Sequence, residues 1–271
     1  MSVRIQRMIA RWVRLPLMLG AGILLLGVGG FRVAAAIEAT DVASSTPTQT
    51  VVLLHGLGRS AANMLILEWR LEARGYRVCN LGYDTRVARI DEAIEEVYAG
   101  ILDCPVGEGP LHFVTHSLGG LVMRGLLDRK KIDRLGRAVM LAPPNAGSEI
   151  ADRLGALGWL DEVMGPLSTQ LGTGAGDLPR TLPIPSIPFG IIAGNQWINP
   201  AGALWLPEPH DGTVSVASTR LEGMRDHIVL PYTHTFIMNA APVADQIDRL
   251  REQCVQVQIT GGCLRYFCGG L

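Results

Sequence analysis

The chain has 271 residues, of which 48% are hydrophobic and 18% are charged, and its formal net charge is −1. This length suits one large α/β domain or two small ones, and the apolar content is enough to bury a sizeable core. The near-zero charge and the lack of a basic stripe in the sequence argue against a nucleic-acid partner.

The N-terminus is basic and then strongly apolar. Its first 14 residues contain four arginines and no acid, and the run LPLMLGAGILLLGVGGF follows them up to Arg32. This order is typical of a secretory signal or of a membrane anchor that sends the rest of the chain outward. The glycines and Pro16 within the run disfavour the alternative, a core helix. Residues 1–36 are therefore predicted to be a signal peptide or an anchor that associates the protein with a membrane.

The remainder is expected to be exported, to the periplasm or the outer face of the inner membrane, or secreted. Residues 37–50 form a predicted polar linker. The five cysteines of this chain favour disulfides after export, and their odd number leaves at least one free or paired between chains. Cys79 and Cys104 are one candidate pair, and the other three cysteines lie in a glycine-containing tail, residues 253–271.

Apolar runs and segments with helical spacing alternate between these two ends. The predicted strands are residues 51–54, 76–83, 111–116, 137–144, 189–195 and 227–232. The predicted helices are residues 63–75, 87–102, 120–130 and 242–252. This alternation predicts right-handed βαβ units and a mostly parallel sheet over residues 51–252. Ligands bind beyond the carboxyl ends of such strands, which is where the chemically reactive side chains of this sequence fall.

One region interrupts the alternation. More than forty residues separate the strands that begin at 137 and 189, and they contain GALGWLDEVMGPL, GTGAGD and the proline-rich LPRTLPIPSIP. An insertion of this length is unusual in a compact domain and is often a lid. A lid is therefore predicted over about residues 150–186.

Ser117 lies in the stretch VTHSLGG, directly after a predicted strand and before a predicted helix. An abrupt strand-to-helix turn strains the turning residue and requires small neighbours. Gly119 meets this requirement, whereas Thr115 occupies a position that is glycine in the usual G-x-S-x-G pattern. The helix N-terminus would stabilise negative charge beside the hydroxyl. Ser117 is thus the candidate nucleophile, and a helix cap is the alternative.

A serine nucleophile needs a base, usually histidine, and a carboxylate that orients it. Of the six histidines, His234 is best placed, between the last predicted strand and the final helix. Asp211, in PHDGTVSVAS, is the best candidate for the acid, and an ordinary Asp-Gly turn is the alternative there. The competing side chains are His210, His227, Glu208, Asp226 and Asp245.

Acyl transfer also requires two N–H groups directed at the developing oxyanion. The backbone N–H of Leu118 would supply one, and that of Leu57, in the turn HGLG, could supply the other. Apolar residues of the insertion and of the loop before Asp211 favour a substrate with an acyl chain. The alternative is that they pack against one another in a small separate hydrophobic cluster. The predicted substrate contacts are Trp159, Met164, Trp197 and Trp205.

Five segments, VVLLHGLG, HFVTHSLGGLVMR, VMLAPPNAGSEIAD, DGTVSV and HTFIM, resemble the α/β-hydrolase superfamily in their order and spacing. The resemblance covers roughly residues 50–250 and is greatest to the bacterial esterase and lipase branch. It implies the α/β-hydrolase fold, with helices flanking the sheet and a lid after the strand that follows the serine. It also implies that Ser117, Asp211 and His234 form a triad, with Leu57 and Leu118 as oxyanion donors and no metal or cofactor.

The function favoured by these features is a serine carboxylic ester hydrolase, an esterase or lipase acting on small or lipid-like acyl esters. An acyltransferase or thioesterase could use the same triad, and a non-catalytic binding protein is a further alternative. The sequence leaves the oligomeric state, the acyl-chain length and the head group open.

Overall fold

Six strands form one sheet in which every neighbouring pair is parallel, in the spatial order β2-β1-β3-β4-β5-β6. This is a computed structural model that describes residues 48–158, 160–198 and 200–252. The strands are β1 (Thr50–Leu54), β2 (Arg77–Leu81), β3 (Leu111–His116), β4 (Leu135–Leu141), β5 (Phe189–Gly194) and β6 (Asp226–Leu230).

Helices connect the strands and cover both faces of the sheet. The long ones are α1 (Leu65–Glu72), α2 (Ile90–Asp103), α3 (Leu118–Arg129), α4 (Glu149–Ala156) and α9 (Ala241–Glu252). Shorter helices are α5 (Leu160–Met164), α6 (Leu178–Thr181), α7 (Pro200–Trp205) and α8 (Val216–Thr219), and three 3₁₀ turns cover Ala61–Met64, Pro166–Gln170 and Ile237–Asn239. The predicted α/β-hydrolase fold, a parallel sheet flanked by helices, is confirmed.

The sequences of the central strands are nearly continuous apolar runs, because helices bury both faces of these strands. Every residue of β1 and of β5 is buried. One hydrophobic cluster lies on the face covered by α2 and α3, where Phe113 contributes to it. The other lies on the face covered by α1 and α9, where Val114 contributes. Neighbouring residues of β3 thus point into opposite cores, as the two-residue period of a strand requires.

Most predicted boundaries lie within two residues of the observed ones. However, β4 ends at Leu141 rather than at Pro144. Ala142 adopts a left-handed backbone with φ of 46° and donates its N–H to the carbonyl of Ile192 in β5 at 2.8 Å. The chain therefore leaves the sheet before the two prolines, which cannot donate to a ladder. Helix α4 and the short helices α6 to α8 were not predicted. Helices of four to six residues hold too little of a helical period to be recognised.

Cys79 of β2 and Cys104 at the end of α2 form a disulfide with their Cα atoms 6.2 Å apart, so the candidate pair is joined. The other three cysteines lie outside the described residues, as does the predicted signal or anchor segment. Within the described part of the chain, no helix is long and apolar enough to cross a membrane.

The predicted insertion is attached to α3 through a buried cation. Arg124, only 2% exposed, donates to the backbone oxygens of Pro183 and Leu182 and to the side-chain oxygen of Asn145. Burial lowers the pKa of Arg124 to about 10, so it remains protonated at neutral pH. The end of the insertion is thereby fixed to the helix that follows Ser117.

Candidate active site

Ser117 forms the sharp turn that the sequence predicts between β3 and α3. Its backbone has φ of 53° and ψ of −122°, a region that side chains other than glycine rarely adopt. Such strain costs of order 1–3 kcal/mol and persists only where surrounding contacts enforce it. Here the Ser117 N–H donates to the Leu141 carbonyl at 2.9 Å, and the Ser117 carbonyl accepts from Gly120 N–H at 2.9 Å.

The small residues around the turn are required by close packing. A Cβ atom at Gly119 would lie 2.6 Å from the Leu54 oxygen and 2.7 Å from the His55 oxygen, so only glycine fits against the end of β1. Thr115, the departure from the usual pattern, is fully buried beneath the turn. Its hydroxyl has no hydrogen-bond partner among the described residues. Threonine at this position is therefore compatible with the turn, because its side chain is accommodated inside the core.

The structure brings Ser117, His234 and Asp211 into one hydrogen-bonded chain. His234 Nε2 lies 3.0 Å from Ser117 Oγ, and His234 Nδ1 lies 2.7 Å from Asp211 Oδ2. All three residues are buried, and the backbone N–H of His234 also donates to the Asp211 carbonyl at 3.0 Å. Since a carboxylate can only accept, Nδ1 carries the proton and Nε2 presents its lone pair to the hydroxyl of Ser117.

The second oxygen of Asp211 fixes the carboxylate in place. Asp211 Oδ1 accepts from the backbone N–H groups of Thr213 at 3.0 Å and Val214 at 2.8 Å. The turn that Gly212 permits, with φ of 95°, supplies both donors. The acid is thus held by its own loop, and only Oδ2 is directed at the imidazole.

The competing side chains make their contacts elsewhere. His227 lies 2.9 Å from the Thr219 hydroxyl, and His210 accepts from the Gly212 N–H at 3.1 Å. Asp226 accepts from the His227 backbone N–H at 2.7 Å, and Asp245 pairs with Arg74. Glu208 accepts from the indole of Trp197 at 3.2 Å.

The turn after β1 lies directly against the serine. A Cβ atom at Gly56 would lie 3.0 Å from Ser117 Cβ. The turn is held by the Gly58 N–H, which donates to Thr85 Oγ1 at 3.0 Å, and by the Arg59 N–H, which donates to the Gly56 carbonyl at 3.2 Å. Leu57, between these glycines, lines the cavity next to Ser117. Leu118 is the first residue of α3, where an N–H group has no acceptor within the helix.

His116 is a buried residue of the site to which the sequence assigned no role. Its Nε2–H donates to the backbone oxygen of His234 at 2.9 Å, and the two rings lie 4.8 Å apart. Burial, followed by the nearby His234, lowers the pKa of His116 well below its usual range, so the ring is neutral. The residue before Ser117 therefore holds the backbone of His234. The pairing spans 118 residues, and the only signal for it in the sequence is a histidine at the end of a strand, directly before the candidate nucleophile.

A cavity of about 210 Å³ opens beside Ser117 and His234. Its wall is largely apolar, and part of it comes from the insertion. The apolar lining includes Leu57, Ile150, Leu154, Met164, Leu171 and Val214. The predicted contact Met164 is thus at the cavity.

Of the other predicted substrate contacts, Trp197 and Trp205 lie away from this cavity. Trp197 stacks on His210 with ring centres 5.6 Å apart and is 40% exposed. Trp205 is half-buried at the end of α7. Neither tryptophan is among the residues that line the cavity beside Ser117. Trp159 lies outside the described residues. No group of three or more potential ligands that could hold a metal ion occurs among the residues that the structure describes.

Residues 51–256 match the model of the alpha/beta hydrolase family. This is more than half of the chain, which therefore belongs to that family. No significant match was found among curated protein sequences.

Solved structures with the same fold include several hydrolases. A lipase of Bacillus licheniformis in its mature form is 17% identical, with a TM-score of 0.54 over 75% of this chain and 91% of that one. A metagenomic carboxyl esterase is 16% identical, with a TM-score of 0.55 over 76% of this chain and 75% of that one. A pyrethroid hydrolase is also 16% identical, with a TM-score of 0.51 over 76% of this chain and 98% of that one. At these identities the similarity establishes the fold alone.

Proposed function

We propose that this member of the alpha/beta hydrolase family is a serine hydrolase that cleaves carboxylic esters through an acyl-enzyme. One observation carries the proposal: the hydroxyl of a strained, buried serine lies 3.0 Å from the unprotonated nitrogen of a histidine whose other nitrogen is held by a carboxylate. This is the geometry that nucleophile, general base and orienting acid require.

In the proposed reaction, Ser117 Oγ attacks the ester carbonyl while its proton moves to His234 Nε2. The N–H groups of Leu57 and Leu118 stabilise the oxyanion that forms. The tetrahedral intermediate then breaks its C–O bond, and protonated His234 gives its proton to the departing alcohol. Water, deprotonated by His234, attacks the acyl-enzyme, and the carboxylic acid leaves with Ser117 restored.

Lipid-like acyl esters are the proposed substrates, because the cavity wall is mostly apolar and partly built from the insertion. The insertion would then act as a lid over the acyl chain. The proposal also includes export through the N-terminal segment, with or without its cleavage, which would bring the enzyme close to membrane lipids. The resemblance of the fold to a lipase and a carboxyl esterase is consistent with this chemistry.

The test is hydrolysis of p-nitrophenyl esters from acetyl to palmitoyl by the full chain, with Ser117→Ala alongside. We expect turnover that the alanine variant lacks and an optimum at medium or long acyl chains. A fluorophosphonate should label the wild type and not the variant. Labelling without ester turnover would instead favour an acyltransferase or thioesterase, which added acceptor alcohols and thioesters would reveal. A folded protein with neither turnover nor label would refute the proposal.

A further inference from the structure

Arg59 contributes a cation to the cavity that the proposed reaction does not use. It lies two residues after Leu57 in the turn that follows β1. Its side chain is half-buried and lines the cavity beside Ser117. Its Nη2 lies 3.4 Å from the hydroxyl of Thr235, the residue after His234. This contact joins the turn after β1 to the loop that carries the proposed base.

The guanidinium has no counter-ion in the described part of the protein. No described carboxylate forms an ion pair with Arg59, and the residues that line the cavity include no Asp or Glu. A partly desolvated cation without a counter-ion is unfavourable, and an anion that enters the cavity would neutralise its charge. The charge also acts inside the site, because Arg59 is among the groups that, after burial and His234, lower the pKa of His116.

The position of Arg59 indicates which part of a substrate it would meet. The alcohol oxygen of the ester must lie at His234 Nε2 to receive its proton in the proposed reaction. Thr235 adjoins that histidine and contacts Arg59, whereas Ile150, Leu154 and Leu171 of the insertion line the cavity with apolar groups. Arg59 therefore lies next to the loop that carries the base, to which the alcohol oxygen must come.

We propose that Arg59 binds an anionic group, a phosphate or a carboxylate, on the alcohol portion of the ester. A planar guanidinium can form charge-assisted hydrogen bonds with either a phosphate or a carboxylate. The preferred substrates are then monoacyl esters of anionic alcohols, such as glycerol phosphate, over neutral monoacylglycerols. This inference rests on the proposed function and names its substrate class.

The test compares kcat/KM for two esters of the same short acyl chain, a 1-acylglycerol and its 3-phosphate, each used as a monomer. We expect the wild type to prefer the phosphate ester. Arg59→Gln should reduce the ratio of phosphate to neutral ester by about tenfold or more, as expected for loss of a hydrogen bond to a charged group. Arg59→Lys keeps the positive charge but not the paired N–H donors of the guanidinium. Its ratio should therefore lie between those of the wild type and Arg59→Gln.

Lys131→Gln is the matched control, since it removes one positive charge beyond the far end of α3, about 20 Å of helix away from Ser117. A monoacyl ester of glycerate separates the two anions, because it carries a carboxylate where the other ester carries a phosphate. The inference fails if the wild type prefers the neutral ester, or if Arg59→Gln and Lys131→Gln change the ratio equally. If neither ester is hydrolysed although p-nitrophenyl esters are turned over through Ser117, the inference fails and the proposed function stands. If p-nitrophenyl ester turnover and fluorophosphonate labelling are also absent, the proposed function itself fails.

Discussion

The orientation of Asp211 predicts the effect of replacing it with asparagine. Two backbone N–H groups point at Oδ1 of Asp211, from Thr213 and Val214. In Asp211→Asn the amide oxygen must take this position, because an NH₂ group there would face two donors. The NH₂ group is then directed at Nδ1 of His234, which must accept, so that the ring proton moves to Nε2.

A protonated Nε2 cannot take the proton of Ser117, so the variant has the right geometry and the wrong tautomer. Losing the correct tautomer in a serine triad costs about 10⁴ in kcat, equivalent to about 5.4 kcal/mol of transition-state stabilisation. Stability should change little, because the asparagine oxygen keeps both loop hydrogen bonds. Asp211→Ala removes them as well and should lower the unfolding free energy by about 1–3 kcal/mol.

The assay is kcat on a p-nitrophenyl ester together with urea unfolding, with Asp226→Asn as the control. Asp226 is the exposed first residue of β6 and forms no described hydrogen bond with His234 or Ser117. Retention of more than a tenth of wild-type kcat by Asp211→Asn would refute the argument from the tautomer. So would an equal loss in the Asp226 variant.

Three further predictions follow from packing and burial. Gly119→Ala should lose about 1–3 kcal/mol of unfolding free energy and most of kcat, because its Cβ would meet two backbone oxygens; wild-type values in both would contradict this. His116 is neutral in the fold and titrates at its ordinary pKa when the chain is unfolded. The free energy of unfolding should therefore decrease as the pH falls below 6.5, by up to about 1.4 kcal/mol per pH unit. Urea titrations of His116→Gln should therefore show a shallower pH dependence between pH 6.5 and 5, and an unchanged slope would count against a buried neutral ring. Arg124→Met leaves buried oxygen acceptors unpaired and should cost about 1–3 kcal/mol in thermal or urea unfolding; a loss under 1 kcal/mol would mean that the insertion is held by other contacts.

The sequence was informative where a local rule determines the structure. The strand 111–116 was predicted with its observed bounds, because a mostly apolar run ends at Ser117, which is followed by Leu118 and two glycines. His234 and Asp211 could be selected because parallel strands collect their carboxyl ends at one edge of a sheet. The serine turn is recognised from neighbouring residues, and the base and the acid from the position of each directly after a predicted strand or in the loop that follows one.

Contacts between distant segments could not be predicted in this way. The bond from His116 to the His234 backbone and the bonds from Arg124 to the end of the insertion depend on the packed fold. Trp197 was expected at the substrate, but in the structure its indole packs on His210 and bonds Glu208. An exposed aromatic loop and a substrate-binding loop have the same composition, and only tertiary contacts distinguish them.

The disulfide makes the stability of this protein depend on the compartment in which it resides. Cys79 lies in β2, which is an edge of the sheet and so is paired with a neighbour on one side only. A crosslink between residues 25 positions apart restricts the unfolded chain and contributes about 3 kcal/mol. In a reducing cytoplasm the disulfide does not form and this contribution is absent. In an oxidising compartment the disulfide forms and the contribution is present. The same chain is therefore more easily unfolded or degraded where thiols stay reduced, and more durable where the disulfide forms.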